Sequence, residues 1–278
     1  MKNILITGAN SYIGESVEAW LLKSQEYQVD TLDMKSDTWR EYDFSRYDVI
    51  FHVAGIAHIK AEPELYDKVN RELAIETAQK AKNAGVRQFI LLSSMSVYGK
   101  TCGTITKTTE ENPGTPYGIA KYQADQVIEK LADDKFKVCI LRPPMVYGRG
   151  CKGNYNGLRK AALKVPFFPY INNSRSMIYI TNLAAFVEKM IREESEGIFF
   201  PQNAEYVCTS DMVYAIAKCH GKRIHLTILF NWVIKLALKC KINIISKVFG
   251  SLTYEQTDIC DEVDFETSIL ETESTDET

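Results

Sequence analysis

Asn3-Ile4-Leu5-Ile6-Thr7-Gly8-Ala9-Asn10-Ser11-Tyr12-Ile13-Gly14 is the stretch that decides the fold, because an apolar strand runs into a glycine loop and then a helix. Glycines at such a junction let the backbone turn tightly and approach a pyrophosphate, whose charge lies on the N–H groups of the helix N-terminus. Ser11 stands where a middle glycine is usual, and its hydroxyl could hydrogen-bond a phosphate oxygen. A tight turn without a ligand is the alternative. The pattern favours a dinucleotide site formed by Gly8, Asn10, Ser11, Tyr12, Ile13 and Gly14.

Asp33 ends the second predicted strand, 19 residues after Gly14. A carboxylate at this place can accept hydrogen bonds from the adenosine ribose hydroxyls and would repel a 2′-phosphate. This favours NAD over NADP as the cofactor. Lys35 leaves NADP open, because a cation two residues further on could hold the phosphate. A solvated strand end is the alternative interpretation of Asp33.

Short apolar runs alternate with helical patterns through the first two thirds of the chain. The predicted strands are Asn3–Thr7, Gln28–Leu32, Val49–Ala54, Gln88–Leu92 and Val138–Leu141. The predicted helices are Glu62–Ala84, with Leu65, Val69, Leu73 and Thr77 on one face, and Tyr117–Leu131, with Ala120, Ala124, Val127, Ile128 and Leu131 on one face. Strands without polar alternation, separated by helices, indicate an α/β fold: a doubly wound parallel Rossmann sheet covered on both faces.

The pattern loosens after Gly150, which suggests a smaller C-terminal lobe. We expect residues 1–150 to form the Rossmann domain, with 177–195 returning to it as a strand and a helix. An irregular stretch 151–176 and residues 196–270 would form the substrate-binding lobe. Residues 271–278 contain only Glu, Thr, Ser and Asp, and the sequence predicts a frayed acidic tail.

Charge and cysteine content exclude several classes of protein. The chain of 278 residues has 33 Lys and Arg against 36 Asp and Glu, a net charge of −3, and so lacks the basic excess of a dedicated nucleic-acid binder. Its seven cysteines form no CxxC pair and do not cluster with the four histidines, so we expect reduced thiols and no metal site. The N-terminus has too short an apolar run for a signal peptide, and we expect a soluble, cytoplasmic protein.

Tyr117 and Lys121 share a helix face, because positions four apart lie one above the other. They follow the turn Asn112–Pro116. A neighbouring ammonium and a cationic nicotinamide both favour the phenolate over the phenol, so this tyrosine could exchange a proton with a sugar hydroxyl or carbonyl near neutral pH. Taken alone, the spacing is common on helix surfaces and is more often structural than catalytic.

The motif at 93–99 follows the predicted strand Gln88–Leu92, and the motif at 142–148 follows Val138–Leu141. Open α/β sheets place their ligands at such strand ends. With these motifs the sequence resembles the extended short-chain dehydrogenase/reductase family of nucleotide-sugar epimerases and dehydratases. The matching elements span about residues 1–200 in the family's order. They are the glycine loop, His52-Val53-Ala54-Gly55, Asn70, Ser93-Ser94-Met95-Ser96-Val97-Tyr98-Gly99, Tyr117-Gly118-Ile119-Ala120-Lys121 and Arg142-Pro143-Pro144-Met145-Val146-Tyr147-Gly148.

The resemblance implies roles for single residues. Ser94 matches the serine that hydrogen-bonds the reacting oxygen, with Ser93 and Ser96 as alternatives. Tyr117 matches the acid/base and contacts both cofactor and substrate, and Lys121 matches the residue that lowers its pKa and holds the nicotinamide ribose. Further residues are implied to contact the cofactor: Asp43 and Phe44 at the adenine, Asn70 near the site, and Val53, Ala54, Gly55, Pro144 and Val146.

The resemblance also implies contacts with a sugar nucleotide. Arg175 precedes the strand Ser176–Ile180, and in the family an arginine at that place binds the diphosphate, which suits a guanidinium. A surface arginine is the alternative. Asn154 and the Phe167–Phe168 segment resemble parts of the family that hold the sugar nucleotide. Within this segment, Phe168 is the residue expected to contact the substrate.

Met95 separates this chain from the family's dehydratases. Those enzymes carry an Asp–Glu pair where this chain has Met95 and Ser96, and methionine can act neither as acid nor as base. What remains is hydride chemistry at one sugar carbon, with C4 expected. The first hypothesis is a UDP-hexose 4-epimerase that uses NAD. The alternatives are a 4-ketoreductase of a 4-keto-6-deoxy sugar nucleotide that uses NADH or NADPH, and a non-catalytic NAD-sensing protein on the same fold.

Residues 224–241 contain a broad apolar stripe formed by Ile228, Leu229, Trp232, Val233, Leu236 and Leu238, with Lys235, Lys239 and Lys241 toward one end. Such a stripe more often packs against its own domain or a partner subunit than it lies on a membrane, so membrane contact is not expected. By resemblance, the helices around 62–84 and 117–131 would form the surface of a homodimer.

Overall fold

The computed structural model describes residues 1–57, 59, 61–229, 231–240 and 242–274. The strands are β1 Lys2–Thr7, β2 Tyr27–Leu32, β3 Val49–His52, β4 Gln88–Leu92, β5 Gly103–Ile105, β6 Lys137–Leu141, β7 Met145–Tyr147, β8 Phe167–Pro169, β9 Met177–Tyr179, β10 Gly197–Phe199, β11 His225–Thr227 and β12 Leu252–Tyr254. The α-helices are α1 Tyr12–Leu21, α2 Pro63–Tyr66, α3 Leu73–Asn83, α4 Pro116–Glu129, α5 Asn154–Lys164, α6 Ile180–Arg192, α7 Thr209–Cys219, α8 Asn231–Lys239, α9 Asn243–Phe249 and α10 Phe265–Glu273.

The chain divides into two compact units. The first comprises Met1–Gly99, Glu110–Pro144 and Ile180–Pro201, and the second comprises Lys100–Thr109, Met145–Tyr179 and the segment that begins at Gln202. The sequence-based boundaries differ from this division at three places. Residues 100–109 and 145–150 lie in the second unit rather than the first, and the segment that returns to the first unit is 180–201 rather than 177–195.

A six-stranded parallel sheet forms the centre of the first unit, in the order β10-β6-β4-β3-β1-β2. The chain builds outward from β1 to β2 on one side and from β3 to β10 on the other, so the strand order reverses between β1 and β3. Open α/β sheets bind ligands outside the carboxyl ends of the strands at such a reversal. The predicted doubly wound parallel sheet is confirmed.

Burial explains why these runs form strands of a covered sheet. Every residue of β3 and β4 is buried, which agrees with their continuous apolar sequence. On one face, α3 packs small residues such as Ala74 and Ala78 into the core, and α4 adds Ala124 and Ile128. The predicted buried face of α4 is thus largely right, although Val127 is 40% exposed.

The predicted continuous helix 62–84 is interrupted. A π-helical turn, Asp67–Glu72, lies between α2 and α3 and carries one more residue per turn than an α-helix would. A regular 3.6-residue period therefore assigns the wrong face at the start of this segment: Leu65 is 44% exposed, whereas Asn70 is fully buried. Thr77, in α3 after the π-helical turn, is buried as the period predicts.

The second unit contains three two-stranded parallel sheets, which pair β8 with β11, β5 with β12 and β7 with β9. Helix α7 packs against both α5 and α10. The prediction of an irregular stretch at 151–176 is wrong for residues 154–164, which form α5. No helix of the described ranges is long and apolar enough to cross a bilayer.

The predicted frayed tail 271–278 is wrong at its start, because α10 continues to Glu273 and buries this side chain. The Glu273 carboxylate accepts hydrogen bonds from the Tyr155 hydroxyl at 2.7 Å and from Arg159 Nε at 2.7 Å, and it pairs with His220 Nε2 at 2.6 Å. Burial alone would raise the pKa of Glu273, but hydrogen bonds from these three groups outweigh it and lower that pKa. Residues 275–278 lie outside the described ranges.

Candidate active site and cofactor site

The glycine loop after β1 has the geometry that the sequence predicts. Gly8 has a φ of +110°, and a Cβ there would lie 2.8 Å from the backbone nitrogen of Ala54. Only glycine allows both this backbone conformation and this close approach. The loop then bends through Asn10, which has a φ of +61°, and enters α1 at Tyr12. The first turn of α1 therefore presents its N–H groups, Ile13 among them, beside the carboxyl end of β1.

Ser11 is the N-cap residue of α1, and its side chain accepts a hydrogen bond from the Gly14 N–H at 3.2 Å. A Cβ at Gly14 would lie 2.6 Å from Ser11 Oγ and 3.3 Å from Val53 Cγ1. The second glycine of the loop is thus required by the packing of α1 against its own cap and against the chain that follows β3. The phosphate contact predicted for the Ser11 hydroxyl stays a prediction.

Asp33 directly follows β2 and lies beside the glycine loop. The Leu32 carbonyl accepts hydrogen bonds from Gly8 N at 2.8 Å and from Ala9 N at 3.1 Å. The Asp33 side chain is exposed, and its Oδ1 accepts a hydrogen bond from the Lys35 backbone at 2.9 Å. Asp33 is thus an exposed carboxylate next to the loop, and its contact with the ribose stays a prediction.

Asn70 supports the segment Val53–Gly55 on the other side of the strand reversal. Its Oδ1 accepts a hydrogen bond from the Ile56 N–H at 2.9 Å, and its Nδ2 donates to the Ile56 carbonyl at 3.0 Å. A Cβ at Gly55 would lie 2.7 Å from Asn70 Oδ1 and 3.5 Å from Lys121 Nζ. The π-helical turn therefore brings Asn70, Gly55 and Lys121 together at the end of β3.

His52 is a buried residue of this region whose role the sequence reasoning did not foresee. Its Nδ1 lies 2.8 Å from the Thr7 hydroxyl, which ties the ends of β1 and β3 together, and its ring stacks on Phe89. Burial lowers the pKa of His52 to about 3, and the Lys121 charge acts in the same direction. The imidazole is therefore neutral at physiological pH.

Ser94 and Tyr117 meet through hydrogen bonding. Ser94 follows β4 and accepts hydrogen bonds from the N–H of Ser96 at 3.2 Å and from the Ser96 hydroxyl at 2.9 Å. Its own proton is thus directed to the Tyr117 oxygen, and this hydrogen bond lowers the pKa of Tyr117. Of the three candidate serines, Ser94 is the one paired with the tyrosine.

The start of α4 explains how Tyr117 reaches this position. Thr115 caps the helix by accepting a hydrogen bond from the Gly118 N–H at 3.1 Å, and Pro116 occupies the first turn, where its missing N–H has no cost. A Cβ at Gly118 would lie 2.7 Å from the Ser96 carbonyl oxygen. The glycine after Tyr117 therefore lets α4 approach the turn that carries Ser94. The Tyr117 ring also meets the Tyr66 ring edge-on at 6.2 Å.

Burial governs the pKa of Tyr117 in the protein alone: it raises that pKa to about 12 and outweighs the hydrogen bond from Ser94. Lys121 is not among the groups that shift this pKa, so the role expected for it stays a prediction. The Lys121 Nζ donates to the Leu92 carbonyl at 2.8 Å. Burial also lowers the pKa of Lys121 to about 8, although the nearby Asp125 carboxylate opposes this shift.

A buried charged cluster lies directly behind Lys121. Asp125, one helical turn further along α4, accepts hydrogen bonds at the same Oδ2 from Arg142 Nε at 2.9 Å and from the Ser93 hydroxyl at 2.8 Å. Arg142 Nη1 donates to the Tyr98 hydroxyl at 2.7 Å and to Glu111 at 2.5 Å. Burial raises the pKa of Asp125 to about 6, while Arg142 and Ser93 act against this shift.

Three further residues of the first unit were predicted to contact the cofactor. Phe44 is 1% exposed and belongs to the hydrophobic core, so its side chain is not available to an adenine ring. Asp43 is exposed and accepts hydrogen bonds from the backbone and the hydroxyl of Ser45. Pro144 is buried after β6.

The remaining predicted residues belong to the second unit. Val146 lies in β7 and Asn154 begins α5, where its side chain is exposed. Phe168 is 8% exposed and packs against Phe249 with ring centroids 5.6 Å apart, so it is a core residue of this unit rather than an open sugar contact.

Arg175 has the character of an anion-binding residue. Its Nη1 donates to the Gly250 carbonyl at 2.8 Å, and none of the described carboxylates forms an ion pair with it. Burial lowers the pKa of Arg175, although a guanidinium stays charged at physiological pH. A partly buried guanidinium without an acidic partner can hold a diphosphate, as the sequence predicts.

The residues of the first unit fit a dinucleotide. Gly8 and Gly14 form a cradle that a Cβ would fill, the first turn of α1 supplies N–H donors, and Asp33 lies next to the loop. The sequence profile described as "NAD dependent epimerase/dehydratase family" matches residues 4–200, which is more than half of the chain. The chain belongs to this family.

Several proteins and solved structures are similar to this chain. A UDP-glucose 4-epimerase of Vibrio cholerae is 30% identical over 292 residues, which cover 94% of this chain and 84% of the relative. An Escherichia coli O157:H7 N-acetyl-alpha-D-glucosaminyl-diphospho-ditrans,octacis-undecaprenol 4-epimerase is 23% identical over 214 residues, 70% of this chain and 65% of the relative. A UDP-glucuronic acid 4-epimerase of Bacillus cereus, solved with NAD, has a TM-score of 0.76 at 18% identity over 97% of this chain and 96% of that one.

Proposed function

We propose that this family member is an NAD-dependent 4-epimerase of a nucleotide sugar. The observation that carries the proposal is the hydrogen bond between the Ser94 hydroxyl and the Tyr117 oxygen after β4, with the Lys121 Nζ on the Leu92 carbonyl at the end of the same strand. The similarity to the Vibrio cholerae UDP-glucose 4-epimerase over most of both chains supports the reaction type.

Each reacting group has one task. Tyr117, as phenolate, accepts the proton of the C4 hydroxyl, while Ser94 donates a hydrogen bond to the same oxygen. A nicotinamide bound at this site would supply the acceptor and donor of the C4 hydride. The sugar passes through a 4-keto form and turns over, so that the hydride returns to the opposite face and Tyr117 gives the proton back. Protons and electrons balance without a further reactant.

Because the pKa of Tyr117 is raised, the site needs a positive charge near the phenol to ionise it. A phenol with a pKa of about 12 is protonated at pH 7, and a positive charge beside the ring would lower that value. A nicotinamide bound in its oxidised form would supply such a charge. Lys121 acts chiefly by its position, since it links the end of β4 to α4 through the Leu92 carbonyl.

Met95 argues against dehydration. It is the first residue of the short 3₁₀-helix Met95–Tyr98 and directly follows Ser94, so a thioether stands next to the reacting pair. A thioether does not exchange protons at physiological pH, and the elimination of water needs both an acid and a base. The same residues would serve a 4-ketoreductase, so the choice between epimerase and reductase is made by the cofactor's stoichiometry.

The first test follows the cofactor. We expect the purified protein to retain NAD and to convert a UDP-hexose to its 4-epimer with no added cofactor and no net change in absorbance at 340 nm. The sugars are measured by NMR, with the Tyr117→Phe variant as control. An N-acetylglucosamine joined by diphosphate to a polyprenol belongs in the same panel, because the name of the Escherichia coli relative contains such a group. If only a 4-keto-6-deoxy sugar nucleotide reacts, with one NADH or NADPH consumed for each product, the protein is a reductase.

The second test concerns the choice of cofactor. We expect Asp33→Ala to weaken the binding of NAD and to improve that of NADP, because the variant removes the carboxylate that repels a 2′-phosphate. Binding is measured by fluorescence titration with both cofactors. The control is Asp37→Ala, whose carboxylate is 94% exposed in the 3₁₀-helix Asp37–Glu41. Tighter binding of NADP than of NAD by the unchanged protein would contradict the role of Asp33.

A nucleotide-sugar substrate would meet Arg175 through its diphosphate. We further propose a homodimer through α2 and α4, whose exposed apolar residues include Leu65 and Val127 at 44% and 40% exposure. Sedimentation velocity checks this proposal, and a monomer at micromolar concentration would contradict it.

A further inference from the structure

A large apolar surface of the second unit has no cover. It consists of Ile228, Leu229, Trp232, Val233 and Leu236, which are 74%, 69%, 70%, 44% and 56% exposed and which we call the α8 surface. Single exposed apolar side chains are ordinary, whereas a contiguous group of this kind marks an interaction site. Of the two expected covers, the chain's own domain and a partner subunit, the first is not seen for these five residues in the described part of the chain.

Helix α8 shows how the surface is arranged. Ile234 is 8% exposed and anchors the helix to its unit, while Ala237 and Leu238 beside it are half-buried. At about 100° per residue, the exposed residues Lys235, Lys239, Trp232, Leu236 and Val233 follow one another around an arc of about 160°. Lysines occupy one edge of this arc and apolar residues occupy the rest.

The segment of the chain that contains α8 carries basic residues and no acidic ones. The sequence contains no Asp or Glu between Asp211 and Glu255, whereas the chain as a whole has a net charge of −3. The basic residues of this segment are Lys218, Lys222, Arg223, Lys235, Lys239, Lys241 and Lys247, of which Lys241 lies outside the described residues. Lys222 and Arg223 are exposed just before β11, as are Lys235 and Lys239 on α8.

We propose that the α8 surface docks the protein on an anionic lipid bilayer. Ile228, Leu229 and Trp232 would enter the boundary between headgroups and acyl chains, and the lysine edge would meet lipid phosphates. The helix lies in the plane of the surface, because nine residues extend only about 14 Å and cannot span the roughly 30 Å of hydrocarbon. A basic amphipathic helix with an exposed tryptophan has the composition of an interfacial anchor.

The charges favour a lipid surface over the other occupants. In a symmetric dimer, each α8 surface would face the same surface of the second copy. Lys235 and Lys239 would then face lysines, and residues 212–254 contain no carboxylate to neutralise them. A nucleic acid would neutralise the lysines but would leave Ile228 and Leu229 in water. An anionic bilayer satisfies both the charges and the apolar side chains.

The experiment uses the full-length protein and vesicles, and it requires no turnover, so its result is independent of the proposed reaction. We expect the protein to float with vesicles of phosphatidylcholine and phosphatidylglycerol, and not with phosphatidylcholine alone. Trp232 fluorescence should shift to shorter wavelength on binding. Trp232→Phe should remove this shift while preserving flotation, since it keeps an aromatic ring.

Two pairs of variants test the two parts of the surface. Trp232→Ser with Leu236→Ser should weaken vesicle binding by about tenfold or more, whereas Leu22→Ser with Leu270→Ser, at exposed positions elsewhere, should not. Lys235→Glu with Lys239→Glu should abolish the preference for anionic lipid. Lys130→Glu with Lys160→Glu makes the same change in net charge and should preserve the preference.

Three results would overturn the proposal. These are the absence of flotation with anionic vesicles, flotation that the α8 variants do not change, and self-association that the Trp232 and Leu236 variants abolish while no vesicle binds. The last result would assign the α8 surface to a second copy of the chain.

Discussion

Tyr117→Phe is expected to lower turnover by about 100-fold or more and to leave the melting temperature nearly unchanged. The substitution removes the oxygen that exchanges the proton at C4 but keeps the ring, which meets Tyr66 edge-on. Because burial already raises the pKa of Tyr117, the folded protein does not depend on an ionised phenol for its stability. Turnover is measured by NMR of the sugars, and the melting temperature is measured by calorimetry.

A matched control lies on the same helix. The Tyr122 hydroxyl accepts a hydrogen bond from Gln126 at 2.8 Å, four residues along α4. Tyr122→Phe removes the same atom from the same kind of residue, and we expect activity within about twofold of the unchanged protein, because one partly exposed hydrogen bond contributes little. Equal activity of Tyr117→Phe and Tyr122→Phe would refute the catalytic role of Tyr117.

Asp125→Asn is expected to lower the free energy of unfolding by about 3–5 kcal/mol, because it leaves the Arg142 guanidinium buried without its main counter-charge. Arg142 is 2% exposed and Asp125 is 1% exposed, so water cannot replace the lost carboxylate. The unfolding free energy is measured by urea titration. Glu129→Gln makes the same chemical change at an exposed position of α4 and should alter it by less than about 0.5 kcal/mol.

Replacing both charged residues tests the effect of the ion pair on stability separately from its effect on turnover. Asp125→Leu with Arg142→Met removes the unpaired charge, and we expect it to be closer in stability to the unchanged protein than Asp125→Asn is. Turnover should stay low in this double variant, because Asp125 also holds Ser93, next to Ser94, and lies beside Lys121. Full activity of a stable double variant would contradict a positioning role for the pair.

Local patterns predicted the strands and the glycine loop, since their signal is contained in a few neighbouring residues. An apolar run followed by Gly8 and Gly14 needs no distant partner to be recognised. The same holds for Tyr117 and Lys121, which a single helix face brings together. The five predicted strands begin and end within about two residues of the observed β1, β2, β3, β4 and β6.

Long-range pairs escaped prediction for a physical reason. Asp125 and Arg142 are 17 residues apart, and the sequence offers only two ordinary charged residues in a helix and after a strand. Their joint burial was not foreseen, although the shared face of Lys121 and Asp125 was a usable signal. Glu273 was missed in the same way, because an acid in an acidic run resembles a solvated tail until Tyr155, Arg159 and His220 surround it.

Tertiary context also decides which apolar residues are buried. Phe168 was predicted to contact the sugar because of its place in the family pattern, yet it fills the core of the second unit beside Phe249. The apolar stripe of α8 was expected to pack against its own domain or a partner subunit, and Ile228, Leu229, Trp232, Val233 and Leu236 are exposed in the described part of the chain. Hydrophobicity predicts that a side chain avoids water, but it does not tell which surface will cover that side chain.

The π-helical turn Asp67–Glu72 allows one stretch of chain to direct side chains to two different places. Helix α3 must present alanines to the sheet, and Asn70 must present its amide to the backbone after β3. A regular helix has a fixed rotation per residue and would satisfy only one of these directions, whereas one additional residue changes the phase between them. A variant with one residue deleted from this turn would have a regular helix but would lose the two hydrogen bonds between the Asn70 side chain and the Ile56 backbone. The π-helical turn is therefore the part of this helical segment where we expect a deletion to be tolerated least.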